Sequence, residues 1–105
     1  MFTLDDILRG NADKFHLLSS NPPDPGMVFH SAHHDSRQIT RGDLFIAIKG
    51  AKVDGHTFIP AVAHAGALGV LCGEPAIDVP PDFLQIVVPD VVAALHATAR
   101  VRAQR

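Results

Sequence analysis

The chain has 105 residues, of which 47% are hydrophobic and 19% charged. That is enough for one buried core and too apolar for a disordered tail. A formal charge of −2 argues against a nucleic-acid partner, a lone cysteine excludes an internal disulfide, and no run approaches the roughly 18 apolar residues of a membrane span.

The N-terminus, Met1-Phe2-Thr3-Leu4-Asp5-Asp6, has neither a positive n-region nor an apolar h-region, so the expectation is a cytoplasmic protein, neither exported nor anchored. Residues 3–10 predict a short helix. Thr3 is the N-cap with Asp6 three residues on, Leu4, Ile7 and Leu8 share the face that should dock on a sheet, and Gly10 is the expected C-terminal cap. Lys14-Phe15-His16-Leu17-Leu18 suits a short strand. Asn21-Pro22-Pro23-Asp24-Pro25-Gly26 is a surface loop, because proline fixes φ and lacks a donor.

A strand is predicted over 27–33, ending in the polar cluster His34-Asp35-Ser36-Arg37, and a stronger one over 43–49, closed by Gly50. The unbroken apolar centre of the second implies burial on both faces. Phe58, Ile59, Val62 and Ala63 then recur at helical spacing, with Pro60 in the tolerated first turn and Gly66 as the stop. Ala67–Cys72 is a further buried strand with an inert thiol. Together these form a strand-helix-strand unit, for which a parallel pair and a right-handed crossover are the default.

A second proline-rich loop spans 73–81, and Phe83–Val88 is a strand with β-branched bias. Asp90 caps a final helix with an apolar face at Val91, Val92, Leu95, Thr98, Ala99 and Val101, while Arg100, Arg102 and Arg105 gather where cations complement the helix dipole. The fold class is therefore α/β: a small, partly parallel sheet flanked by helices.

Chemistry concentrates in two segments beside the 43–49 strand, Asp35-Ser36-Arg37 and Lys49-Gly50-Ala51-Lys52-Val53-Asp54-Gly55-His56. A hydroxyl, a guanidinium, lysines and glycine-permitted backbone approach suit an anionic, polar small molecule such as a nucleotide. Along the chain the segments lie at opposite ends of the strand, so contact between them requires a turn. The plainer alternative is two turns with local ion pairs. His30, His33, His34 and Asp35 have metal-ligating side chains, but on a strand His33 points away from the other two, and no metal site is assigned. An adjacent Ser-His-Asp grouping without a Gly-x-Ser-x-Gly elbow is not read as a hydrolase.

The ordered run Asp35-Ser36-Arg37, Gly42-Asp43-Leu44-Phe45-Ile46-Ala47-Ile48-Lys49-Gly50 and Val53-Asp54-Gly55-His56-Thr57-Phe58 strongly resembles the N-terminal domain of the Mur ligases. The likeness is clear over 27–100, with Arg41 standing where proline is frequent in the family. Within the family, Phe2–Ile7 is more similar to the branch that joins D-alanyl-D-alanine to the UDP-MurNAc-tripeptide (MurF) than to the branch that adds the third stem residue (MurE).

The resemblance implies that residues 1–105 form one substrate-binding domain for the UDP-MurNAc-peptide. Ser36 and Arg37 would stand on one side of the UDP moiety and Ala51, Lys52, Val53, Asp54 and His56 on the other, with Gly42, Gly50 and Gly55 shaping the loops. It also implies central and C-terminal domains of a longer chain that bring ATP and Mg²⁺. No Gly-x-x-x-x-Gly-Lys-Ser/Thr phosphate loop occurs here, so no catalytic residue or cofactor is assigned to this stretch. A non-enzymatic interaction module reusing the fold is the alternative.

Overall fold

A computed structural model describes residues 2–11, 14–20 and 23–103. Strands β1 (Phe2–Thr3) and β3 (Val28–Phe29) pair antiparallel as a two-stranded ribbon. The main sheet holds β2 (His16–Leu18), β4 (Ala32–His33), β5 (Leu44–Ile46), β6 (Gly69–Cys72) and β7 (Leu84–Val87) in the order β2-β7-β6-β5-β4. Only β2 runs antiparallel to its neighbour; β4, β5, β6 and β7 are parallel. The helices are α1 (Leu4–Asn11), α2 (Ile59–His64) and α3 (Val91–Ala103).

Side-chain alternation along the buried strands divides the core into two layers. Leu44 and Ile46 of β5, Leu71 of β6, and Leu84 and Ile86 of β7 point toward α1 and α3, where Leu4, Ile7, Phe29 and Ala94 close the layer. Phe45 and Ala47, Val70 and Cys72 point the other way, against Ile59, Val62 and Ala63 of α2. The apolar run of β5 is buried on both faces because helices cover both, as its composition implied.

Local hydrogen bonding explains the helix boundaries. Thr3 N–H donates to Asp6 Oδ2 at 2.9 Å while Asp6 N–H donates to Thr3 Oγ1 at 3.3 Å, a reciprocal capping box. At the end of α2, Ala67 N–H reaches Val62 O and Gly66 N–H reaches Ala63 O, a closure that needs Gly66 at φ 109°. Asp90 Oδ1 accepts from Ala93 N–H at 3.1 Å and starts α3.

Several expectations are corrected. Gly10 lies inside α1, not beyond its end: a Cβ there would stand 2.7 Å from the Ala97 carbonyl oxygen, so glycine permits the close crossing of α1 on α3. The single strand over 27–33 is two, because the chain leaves the ribbon after Phe29 and enters the main sheet at Ala32; His30 N–H donates to Gly42 O at the bend. On α3, Val92 is exposed while Ala94 and Thr98 are buried, since the helix meets α1 through small residues. Arg102 is more than a complement to the dipole, as its Nη1 lies 3.4 Å from Oδ2 of the buried Asp6. Arg105 lies outside the described residues.

Between β6 and β7 the connection has no helix. Its proline loop is held by one buried amide: Gln85 Oε1 accepts from Ala76 N–H at 2.7 Å and Gln85 Nε2 donates to Ala76 O at 2.8 Å. The loop thereby gains sheet-like pairing without a strand, and Ala76 and Val79 cover the α2-side core layer.

Candidate functional site

Parallel pairing of β4 with β5 decides where the two polar segments go. Ala32 is in register with Leu44 and His33 with Phe45, so the carboxyl ends of both strands share one edge of the sheet. His34-Asp35-Ser36-Arg37 follows one strand at that edge, and Ala47–His56 follows the other. The segments that flank β5 at opposite ends of the sequence are therefore neighbours in space, and residues 38–43 carry the chain back to the opposite edge. Together they wall an open cleft of about 610 Å³ lined by His34, Asp35, Ser36, Arg37, Ile48, Gly50, Val53, Gly55 and Phe58. Its volume is within the range of small-molecule sites.

On one wall, Ser36–Gln38 form a single 3₁₀ turn capped by Asp35, whose Oδ1 accepts from Arg37 N–H at 3.0 Å. Arg37 folds back on the same carboxylate, with Nε 3.1 Å from Oδ1 and Nη2 2.9 Å from Oδ2. The hydrogen bonds from the Arg37 side chain, then its backbone, hold the Asp35 carboxyl down at about 2. Local ion pairing is thus real here, and it orients the guanidinium without consuming it. Five N–H donors minus the two used leave three, and the side chain is 87% exposed at the cleft rim.

Opposite, residues 48–55 form a small closed loop. Gly50 N–H donates to Val53 O, Gly55 N–H to Ile48 O, and Lys49 pairs across to Asp54. A Cβ on Gly55 would lie 2.9 Å from Ile48 N, so the neck closes only around glycine. Ala51 and Lys52 occupy the exposed tip, outside the residues that line the cleft, whereas Val53 and Gly50 face it.

Asp54 and His56 turn to the far side of this loop. They border a second cleft of about 370 Å³ with Lys49, Gly73, Glu74 and Asp90. His56 Nε2 accepts from Gly73 N–H at 3.0 Å; that amide can only donate, so the ring hydrogen sits on Nδ1 and is given to Asp54 Oδ1 at 2.7 Å. The His56 backbone N–H, followed by its ring, holds the Asp54 carboxyl below the ordinary carboxylate range. This chain of bonds ties the 48–55 loop to the end of β6.

Asp43 is almost completely buried and anchors the start of β5. Its carboxylate accepts from Thr40 N–H at 2.9 Å, Thr40 Oγ1 at 3.0 Å and Ser31 Oγ at 3.0 Å. Burial pushes this carboxyl up, but the bonds from Thr40 and Ser31 outweigh it and the net displacement is downward. Gly42 beside it takes φ 92° and packs against the His30 ring.

Of the residues read from the sequence, Ser36, Arg37, Gly50, Val53 and Gly55 meet around the larger cleft. Gly42 belongs to the turn at the other edge. Three cleft residues were not assigned to the binding site from the sequence: His34, Ile48 and Phe58. Phe58 was read as part of the apolar face of α2, yet it precedes the helix, is 39% exposed and lines the cleft. Its position at the end of the Asp54-Gly55-His56-x-Phe58 run was the available clue. Among the described residues no group of three His, Cys, Asp or Glu side chains is arranged to hold a metal, and His33 is instead bonded to Ser31 Oγ at 3.0 Å. No helix among them is long and apolar enough to cross a membrane.

Comparison with known proteins gives concordant matches. A family profile described as "Mur ligase family, catalytic domain" matches residues 28–103. A UDP-N-acetylmuramyl-tripeptide synthetase of Roseiflexus sp. is 37% identical over 75 residues, 71% of this chain and 14% of that protein. A UDP-N-acetylmuramoyl-tripeptide--D-alanyl-D-alanine ligase of Synechocystis sp. is 37% identical over 65 residues, 62% of this chain and 14% of that protein. Among solved structures, MurF from Acinetobacter baumannii superimposes with TM-score 0.78 at 26% identity, over 98% of this chain and 21% of that one. The chain therefore spans about a seventh of the length of these curated relatives.

Proposed function

The chain belongs to the Mur ligase family, and on that premise we propose that its larger cleft binds the nucleotide end of a UDP-MurNAc-peptide. Its α/β fold is that of the N-terminal domain in MurF- and MurE-type peptidoglycan ligases. The observation that carries the proposal is the parallel β4–β5 pairing, which brings the Ser36-Arg37 turn and the Gly50–Phe58 segment to one edge around a cleft.

The chemistry of the two walls suits such a ligand. Ile48, Val53 and Phe58 offer an apolar surface for a base, Ser36 a hydroxyl for its polar edge or for the ribose, and Arg37 three remaining donors for phosphate oxygens. Lys52 at the exposed loop tip adds positive charge where a diphosphate would leave the cleft. Asp54 and His56 act behind the loop by holding its shape, so their role is positioning and not contact.

ATP and Mg²⁺ are read as belonging to other domains of the ligase. Neither edge of the sheet carries a Gly-Lys-Ser/Thr phosphate loop, and the matched stretch 28–103 contains none despite the wording of the family description. Peptide-bond formation is accordingly assigned to central and C-terminal domains of a longer cytoplasmic ligase, of which these 105 residues are one substrate-binding domain. The MurF-like branch is favoured over the MurE-like one, because the opening Phe2–Ile7 resembles MurF and the MurF of Acinetobacter baumannii superimposes over 98% of the chain.

Amide NMR during titration with UDP and with UDP-MurNAc-tripeptide tests this. Resonances of Ser36, Gly50, Val53 and Phe58 should move while those of Glu74 and Asp90, in the neighbouring cleft, stay. An unmoved spectrum at millimolar UDP overturns the proposal.

A further inference from the structure

We infer that the ring of Phe58 is the face on which this cleft stacks a planar nucleobase, so that ligands are selected by an aromatic ring as well as by phosphate. The inference rests on the nucleotide reading above and adds the residue that makes the base matter.

Large apolar side chains adjoining a core are ordinarily drawn into it. Ile59, Val62 and Ala63 of α2 are buried in the layer beneath the helix, whereas Phe58, one residue earlier, joins neither core layer and leaves 39% of itself exposed in the cleft. A phenyl ring left 39% exposed forgoes part of the roughly 1.5–3 kcal/mol that full burial is worth, and a stacked ligand recovers that part. The other apolar lining, Ile48 and Val53, is aliphatic, and the imidazole of His34 is the other ring among the described lining residues, so Phe58 is the one apolar aromatic face they offer.

The ring is also held before any ligand arrives. Phe58 closes the 3₁₀ turn Gly55–Phe58, which Asp54 caps through His56 N–H at 3.0 Å and which the His56–Gly73 bond fastens to the end of β6. On its other side α2 begins directly at Ile59, with Pro60 in the first turn. A side chain rooted between two fixed elements loses little freedom on binding, which makes stacking effective. Across the cleft stand Ser36 and Arg37, so a base lying on Phe58 would direct its ribose and phosphates toward hydroxyl and guanidinium donors.

The test compares the 105-residue protein with Phe58→Leu and Phe58→Tyr, each titrated with UDP, with the dihydrouracil analogue of UDP, and with inorganic pyrophosphate. The analogue keeps the polar edge of the base and loses its aromaticity. Phe58→Leu should weaken UDP about tenfold and abolish the upfield ring-current shift of the uracil H5 and H6 protons, while Phe58→Tyr retains both. The analogue should bind the unsubstituted protein as weakly as UDP binds Phe58→Leu, and pyrophosphate should not distinguish the three proteins. Cooperative urea unfolding of each variant certifies that it folds. UDP binding that shifts Ser36 but is equally tight in Phe58→Leu overturns this inference and leaves the nucleotide reading standing. Absence of UDP binding to the unsubstituted protein removes both.

Discussion

Replacing Asp43 tests most directly how the site is built. Its buried carboxylate holds three donors, Thr40 N–H, Thr40 Oγ1 and Ser31 Oγ, at 2.9–3.0 Å. Hydrogen bonds to a charged acceptor contribute about 1.5–3 kcal/mol each, so simple addition for Asp43→Ala overstates the loss. Thr40 is exposed and its hydroxyl can turn to water, and the Ser31 hydroxyl still has His33 Nε2 at 3.0 Å. The Thr40 N–H, fixed by the turn, is the donor left without a partner. About 2–4 kcal/mol is therefore expected for Asp43→Ala, and about 1 kcal/mol for Asp43→Asn, which keeps an oxygen toward Thr40 and presents an amide to Ser31. Urea unfolding followed by far-UV circular dichroism measures both, since the chain has no tryptophan or tyrosine.

The same carboxylate makes a pH prediction. Its folded-state pKa is net lowered, so its contribution is fully present above the ordinary aspartate value of about 3.9 and is lost as pH falls through the lower folded value. Asp43→Asn should flatten that acid limb of the stability profile. A loss below about 0.5 kcal/mol for Asp43→Ala would refute the assigned role of this turn. Equal losses in the two variants would show that charge, and not acceptor geometry, is what the turn requires.

Further outcomes follow from other contacts. Gly10→Ala should destabilise by about 1–3 kcal/mol in urea unfolding, because the new methyl meets the backbone of Ala97 and Thr98, which cannot yield; an unchanged or raised midpoint would contradict the close crossing of α1 on α3. In Arg37→Ala the NMR titration midpoint of Asp35 should climb from about 2 toward the ordinary carboxylate range, held short of it by the backbone N–H that alanine keeps, and a midpoint that stays put would deny the Arg37 side chain its role. Burial pushes the Cys72 thiol up to about 12, so iodoacetamide at mildly alkaline pH should modify it only as fast as the protein unfolds; rapid labelling of folded protein would contradict its place in β6.

How much was legible in the chain divides by the range of the interaction. The capping box at Thr3 and Asp6, the Asp90 cap, the Gly66 stop and the β5–α2–β6 unit depend on hydrogen bonds and periodicities within a few residues, and each stands where the residues indicate. Likewise the Asp35-Ser36-Arg37, Gly42–Phe45 and Asp54-Gly55-His56 runs mark the family without any coordinates. Gly10 was misread because a glycine near a helix end looks alike whether it caps or admits a second helix, and α3 is nearly ninety residues away. Phe58 was misread because helical spacing includes it with Ile59 and Val62, although the helix starts one residue later and turns it out of the core.

The sequence by itself determined the elements, their caps and the residue types available for binding, because these follow from backbone dihedrals and from contacts at short separation. Only the tertiary structure decided that β4 lies parallel to β5. That pairing joins backbone groups twelve residues apart in register, which no local pattern encodes, and it alone turns two segments at opposite ends of a strand into the walls of one cleft.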